Sequence, residues 1–180
     1  MSRLFSLPSQ TVGPFFHMCL TCDSELGRVA DPETAGEHIR LRFRLLDGDA
    51  APVPDGVIEL WQADASGRYH PGSTFHGFGR LPTGADGSCT FETIRPGRVA
   101  DGRGGLQAPH INVSVFARGL LARLFTRVYF EGDPTLTEDA ILALVPAERR
   151  GTLLATRGTE GLWTFDIHLQ GERETVFFDI

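Results

Sequence analysis

Between Ile39 and Leu45 the chain alternates without a break: Ile39, Leu41, Phe43 and Leu45 are apolar, and Arg40, Arg42 and Arg44 stand between them. Successive strand side chains point to opposite faces, so this segment predicts a strand with one buried and one wet face. Asp47-Gly48 supplies turn chemistry at its end. Similar reasoning predicts strands at Val57 to Gln62, Ser88 to Ile94, His110 to Ala117, Leu124 to Phe130, Leu162 to Leu169 and Thr175 to Phe178. Asp86-Gly87 marks a tight turn before the second of these. One helix is expected, over Thr137 to Arg150, with Ile141, Leu142, Leu144 and Val145 on one face and Pro134 near its start. The expected fold is all-β: a β-sandwich or barrel of mostly antiparallel strands with long loops and one short helix.

The 180 residues suit one domain, 1–180, with residues 1–37 as an N-terminal arm and loop lacking clear periodicity. Residues 64–86 and 96–107 are long, Gly-rich connections, the kind of segment that carries function in a compact domain. The hydrophobic fraction of 41% and charged fraction of 22% are those of an ordinary globular protein. A net charge of -6 argues against nucleic acid as a partner. No apolar run is long enough for a membrane span, and the N-terminus lacks the pattern of a signal peptide, so a cytoplasmic location is expected.

His110 and Asn112 carry the most pointed chemistry. They sit two apart on a strand and share a face, about 6.6 Å apart along it. A His-x-His pair at that spacing can place two imidazoles on one metal ion; here the second imidazole is a carboxamide, a poor ligand for Fe(III). Tyr69, just past a strand, has the chemistry of a phenolate ligand and also that of an ordinary loop tyrosine. His110 alone reads equally as a hydrogen-bonded core residue. Arg118 has the parity of His110 and faces the same side if the strand persists; otherwise it is a solvated strand-end arginine. Cys19, Cys22 and Cys89 are too few for a structural zinc site, and small semi-buried thiols are expected. No P-loop, nucleophile elbow or zinc-protease helix is present.

Five segments in order along the chain carry a resemblance: Gln10 to Phe16, Glu59 to Tyr69, Thr93 to Gly97, Ala108 to Arg118 and Arg127 to Phe130. Together they resemble the intradiol ring-cleaving dioxygenases, and the segment from Trp61-Gln62-Ala63-Asp64 to Gly67-Arg68-Tyr69 is the most specific. The resemblance implies a β-sandwich and an activity that opens a catechol ring with O2 between its two hydroxyl-bearing carbons. It also implies a ferric iron held by two tyrosinates and two histidines.

Transferred residue by residue, that ligand set falls on Tyr69, Val99, His110 and Asn112, of which only Tyr69 and His110 can ligate. An arginine that usually precedes the histidine motif falls on Gln107. The other tyrosine, Tyr129, sits in an apolar strand, and His70 and His76 lie in the loop after Tyr69. The four positions are therefore expected to be vestigial, with no metal and no catalytic residue within this chain alone. The short chain, Ala108 to Asn112 and Phe116-Ala117-Arg118-Gly119 resemble the iron-free subunit of the family's heteromeric members. This implies a partner, an iron-binding beta subunit of similar fold that holds Fe(III). It further implies that Thr11, Gly13, Pro14 and Arg118 line the partner's substrate cavity. Gly13 would allow close backbone approach, Pro14 would stiffen the wall, and Arg118 would meet the carboxylate of protocatechuate. The implied role is in aromatic catabolism by the β-ketoadipate pathway. Two alternatives stand beside it: a self-sufficient catechol dioxygenase with an altered iron site, and a non-catalytic β-sandwich binding module.

Overall fold

A computed structural model describes residues 11, 13, 19–21, 24–70 and 72–179. Strand β1 (His38–Leu46) is built as its alternation demands: Ile39, Leu41, Phe43 and Leu45 are at most 3% exposed. Arg42 and Arg44 turn outward to pair with Asp86 and Asp166. The other strands are β2 (Val57–Gln62), β3 (Phe78–Pro82), β4 (Ser88–Ile94), β5 (Val99–Ala100), β6 (Leu106–Gln107), β7 (His110–Phe116), β8 (Leu124–Phe130), β9 (Leu154–Arg157) and β10 (Leu162–His168).

Eight strands form one continuous order, β3-β2-β7-β8-β9-β10-β1-β4, while β5 and β6 pair separately. Pairing is antiparallel except for β1 with β10 and β8 with β9. The β8–β9 pairing is only Tyr129↔Leu154 and Phe130↔Ala155, so it works as a corner where one layer passes into the other. The result is a mixed, nearly closed sandwich, all-β as the sequence predicts. Its core joins residues of both layers, among them Phe43, Phe91, Phe165, Leu60, Val113, Val128 and Trp163. Phe43 meets Phe91 and Phe165 edge-on, with centroids 5.7 and 5.9 Å apart. Gln62, 1% exposed, crosses between the layers: its Nε2 donates to the Ile94 carbonyl at 2.9 Å and its Oε1 accepts from Thr93 at 2.7 Å.

Several expected elements differ. The single helix over Thr137 to Arg150 is three short pieces: a 3-10 turn at Pro134–Glu138, helix α1 (Ala140–Leu144) and a 3-10 turn at Ala147–Leu153. Pro146 is the cause. It excludes helical geometry from the residue before it, and Val145 is extended at φ -81°, ψ 131°. Thr175 to Phe178 is not a strand, because part of its hydrogen bonding goes to the side chains of Thr126 and Thr152. β3 lies inside the expected loop 64–86; its sequence Phe-Gly-Arg-Leu-Pro has no β-branched residue to announce it. β9 is a four-residue strand with the same problem of brevity. No helix among the described residues is long and apolar enough to cross a membrane. Cys89 is buried, which pushes its thiol up to about 12 and makes it a core residue rather than a reactive one; Cys22 lies outside the described residues.

The turn after β2 aims Tyr69. Asp64 Oδ1 accepts from Ser66 N, Ser66 Oγ and Arg68 N at 2.6–3.0 Å, winding residues 64–68 into a tight loop. Gly67 has φ 80°, and a Cβ there would stand 1.8 Å from the Arg98 carbonyl oxygen. Only glycine allows this loop to lie on the 96–98 segment. Gly67→Ala is accordingly expected to destabilise the fold by at least about 2 kcal/mol in urea unfolding, with the Tyr69 loop displaced.

Candidate functional site

β7 presents Ile111, Val113 and Val115 to the core, so His110, Asn112 and Ser114 lie on the opposite face of the layer. The registers place Asn112 between Trp61 on β2 and Arg127 on β8, and His110 beside Tyr129. The 64–68 turn then brings Tyr69 over this face, where its ring stacks on Trp61 with centroids 5.9 Å apart and planes 11° apart.

Tyr69, His110 and Asn112 are thus brought together. Asn112 Nδ2 donates to the Tyr69 hydroxyl at 3.0 Å, and that hydroxyl lies 3.5 Å from His110 Nε2. His110 Nδ1 sits 2.8 Å from the Ala108 carbonyl, which fixes the proton on Nδ1 and leaves Nε2 as an acceptor. The imidazole is 1% exposed, and burial, assisted by the nearby Arg127 charge, drops its pKa to about 4. Burial raises the Tyr69 phenol, opposed by the Asn112 hydrogen bond and the Arg127 charge. The pair is a neutral phenol beside a neutral imidazole, and the Asn112 Oδ1 next to them is buried with no hydrogen-bond partner among the described residues.

Val99, the second tyrosinate position, pairs with Gln107 in the small β5–β6 ribbon and carries no donor atom. Tyr129, placed by the sequence in an apolar strand, is buried there with its ring centroid 5.9 Å from that of His110. Its hydroxyl is committed to Asp139 at 3.2 Å, and burial pushes its pKa up to about 12. The residue that sequence reasoning missed is Arg127. Its Nη1 donates to Gln107 Oε1 at 2.7 Å, and its charge acts on Tyr69, His110 and Tyr129 alike. The available signal was an arginine in the otherwise apolar segment Leu124 to Phe130, with the parity of Tyr129. A ferric site needs hard anionic oxygens and imidazoles. One protonated phenol, one imidazole, a carboxamide already bonded to that phenol, and an adjacent guanidinium do not fit it. His70 and His76 are exposed, and no group of three or more His, Cys, Asp or Glu among the described residues is arranged to hold a metal.

Arg118 lies elsewhere. β7 ends at Phe116, so the shared parity with His110 does not carry through; Ala117 is buried and Arg118 begins a turn. The seven-residue strand, about 20 Å long, separates the two. The Arg118 side chain is 74% exposed and within 3.7 Å of Asp55. Thr11 joins it from the N-terminal arm: its Oγ1 accepts from Gly119 N at 2.8 Å. Gly13 is exposed, with nothing within 4 Å of a Cβ placed on it. Pro14 lies outside the described residues.

A sandwich with this motif order and this tyrosine–histidine face defines a class of protein. The family model described as a dioxygenase matches residues 11–171, and the chain belongs to the intradiol dioxygenase family. At 42% identity, with all of both chains covered, it is similar to the protocatechuate 3,4-dioxygenase alpha chain of Burkholderia cepacia. The beta chain from the same organism is 34% identical over 93% of this chain and 77% of its own length. Among solved structures, the dioxygenase domain of a dioxygenase carbohydrate-binding fusion from Streptomyces sp. SirexAA-E superposes with a TM-score of 0.66. That match has 29% identity and covers 91% of this chain and 97% of the other.

The buried neutral His110 makes a pH prediction. Its folded pKa of about 4 lies below the unfolded value of 6.5, so its burial carries no pH-dependent cost above pH 6.5. As pH falls from 6.5 towards 4 the unfolded chain takes up the proton and stability is lost, by an amount on the order of 3 kcal/mol in total. Urea unfolding across that range is expected to show the loss in the native chain and a flatter profile in His110→Gln.

Proposed function

We propose that this chain is the alpha subunit of a heteromeric protocatechuate 3,4-dioxygenase, a single sandwich domain that contributes substrate-binding residues to an iron site in a beta subunit of similar fold. The complex would convert protocatechuate and O2 to 3-carboxy-cis,cis-muconate. The observation that carries the reading is the full-length identity of 42% to an alpha chain. The lower identity to a beta chain supports a partner of common descent.

The geometry supports a role for the arm and the β7 turn. The Thr11–Gly119 hydrogen bond holds the arm against the turn that carries Arg118, so two separately predicted elements meet at one edge of the sandwich. An exposed guanidinium there, held only loosely by Asp55, is free to reach a substrate carboxylate on a partner. Gly13, with open space about it, lets backbone approach the substrate closely, and Pro14 would stiffen the same wall. Iron in the partner would supply the Lewis-acid and redox chemistry of ring opening. This chain's part is to bind and orient the acid end of the substrate.

The donor set weighs against a self-sufficient enzyme, since a second phenolate has no source near Tyr69. A plain binding module would give Arg118 no catalytic consequence. Reconstituting the chain with an iron-bearing beta subunit and assaying ring cleavage separates these readings. Arg118→Ala is expected to lower kcat/KM for protocatechuate by about tenfold or more, the worth of a lost charge-assisted hydrogen bond. The purified chain alone is expected to show neither turnover nor the visible absorption of a ferric tyrosinate. Unchanged kcat/KM in the variant would remove Arg118 from the site, and turnover by the isolated chain would overturn the subunit assignment.

A further inference from the structure

The face that carries Tyr69 and His110 continues into a groove of about 300 Å³, walled by Trp61, Phe78 and Phe125 and bordered by Asn112, Glu59 and Arg127. Cross-strand pairing builds it: Phe78, Trp61, Asn112 and Arg127 lie in one row across β3, β2, β7 and β8. Its charges are unequal. Glu59 is neutralised by Arg80 at 2.6 Å, both side chains being less than a quarter exposed. Arg127 has no carboxylate within ion-pair distance among the described residues, and its charge is met by neutral groups, the Gln107 amide and the Tyr129 hydroxyl. A guanidinium partly withdrawn from water beside an apolar groove, with no anion of its own, offers a place for one from outside.

We propose that this groove binds a small aromatic carboxylate, with the acid on Arg127 and the ring against Trp61, Phe78 and Phe125. One planar guanidinium matches one carboxylate in a two-pronged hydrogen bond, whereas a phosphate would leave oxygens without donors here. The walls select the ring. Trp61 is 41% exposed yet held rigid by its stack on Tyr69, so an aromatic surface is offered to solvent at little conformational cost. The loss of metal ligands and the presence of Arg127 then have one chemical sense: the face presents a permanent cation on a side chain. The site is built from this chain's own residues.

The test is titration of the full chain with benzoate, benzamide, acetate and inorganic phosphate, followed by calorimetry and by tryptophan fluorescence. Trp163 is 1% exposed, so Trp61 is the residue that reports the groove. Benzoate is expected to bind saturably at one site. Benzamide, which lacks the charge, and acetate, which lacks the ring, are each expected to bind at least about tenfold more weakly, and phosphate not to compete. Arg127→Gln is expected to lower benzoate affinity by about tenfold or more, with its melting temperature measured alongside. Equal affinity for benzoate and benzamide in the unmutated chain overturns the proposal without recourse to any variant. So does competition by phosphate as strong as that of benzoate, or unaltered benzoate binding in a folded Arg127→Gln. Because the isolated chain is used, none of these results depends on ring cleavage by a complex.

Discussion

The carboxylate of Asp139 holds together the parts of this molecule that matter most. It is 1% exposed and accepts four hydrogen bonds. Ile141 N and Leu142 N cap α1, Ala108 N ties down the residue from which β7 departs, and the Tyr129 hydroxyl anchors β8. A carboxylate so enclosed is tolerable only when its lone pairs are met, and these four donors meet them. The consequence runs directly into the candidate site. With Ala108 fixed by its N–H, its carbonyl is placed to receive His110 Nδ1, and the imidazole is left with Nε2 towards Tyr69. Tyr129, being committed to Asp139, is unavailable as a replacement phenolate.

That arrangement also supplies partners to most polar groups of the face from within the chain. A polar group taken out of water must find another partner. Here the Asn112 amide nitrogen satisfies the Tyr69 oxygen, His110 bonds to backbone and phenol, and Gln107 receives Arg127, while Asn112 Oδ1 is buried without a partner among the described residues. The groups are neutral apart from the guanidinium, which discourages protonation of His110.

The sequence carried the fold best where one face of a strand is buried. In β1 and β4 alternation and turn residues locate the elements closely, because a one-residue slip would turn every core side chain to water. It failed where the signal is short or interrupted. β3 has Gly79 where a buried side chain would otherwise announce the inward face, and a bulky residue there would meet Val29 and Phe91. The long helix failed on Pro146, whose effect on Val145 is local chemistry that periodicity overlooked.

The site was legible in part, for a related reason. Tyr69, His110 and Asn112 could be named from motif and parity, since those are properties of one stretch of chain. Arg127 could not, because its place beside Asn112 is a matter of register between β7 and β8, which no single segment records. Arg118 shows the limit of parity. It would share the face of His110 only if the strand persisted, and β7 stops at Phe116, which leaves the solvated strand-end arginine that the sequence also allowed. The chain thus sets its two arginines of interest apart, Arg118 in the turn that joins β7 to β8 and Arg127 midway along β8. One is exposed at an edge beside the N-terminal arm; the other is half-buried in a groove of aromatic side chains. An exposed arginine at an edge can serve a neighbouring subunit, whereas one enclosed by its own sheet acts first on its own surroundings.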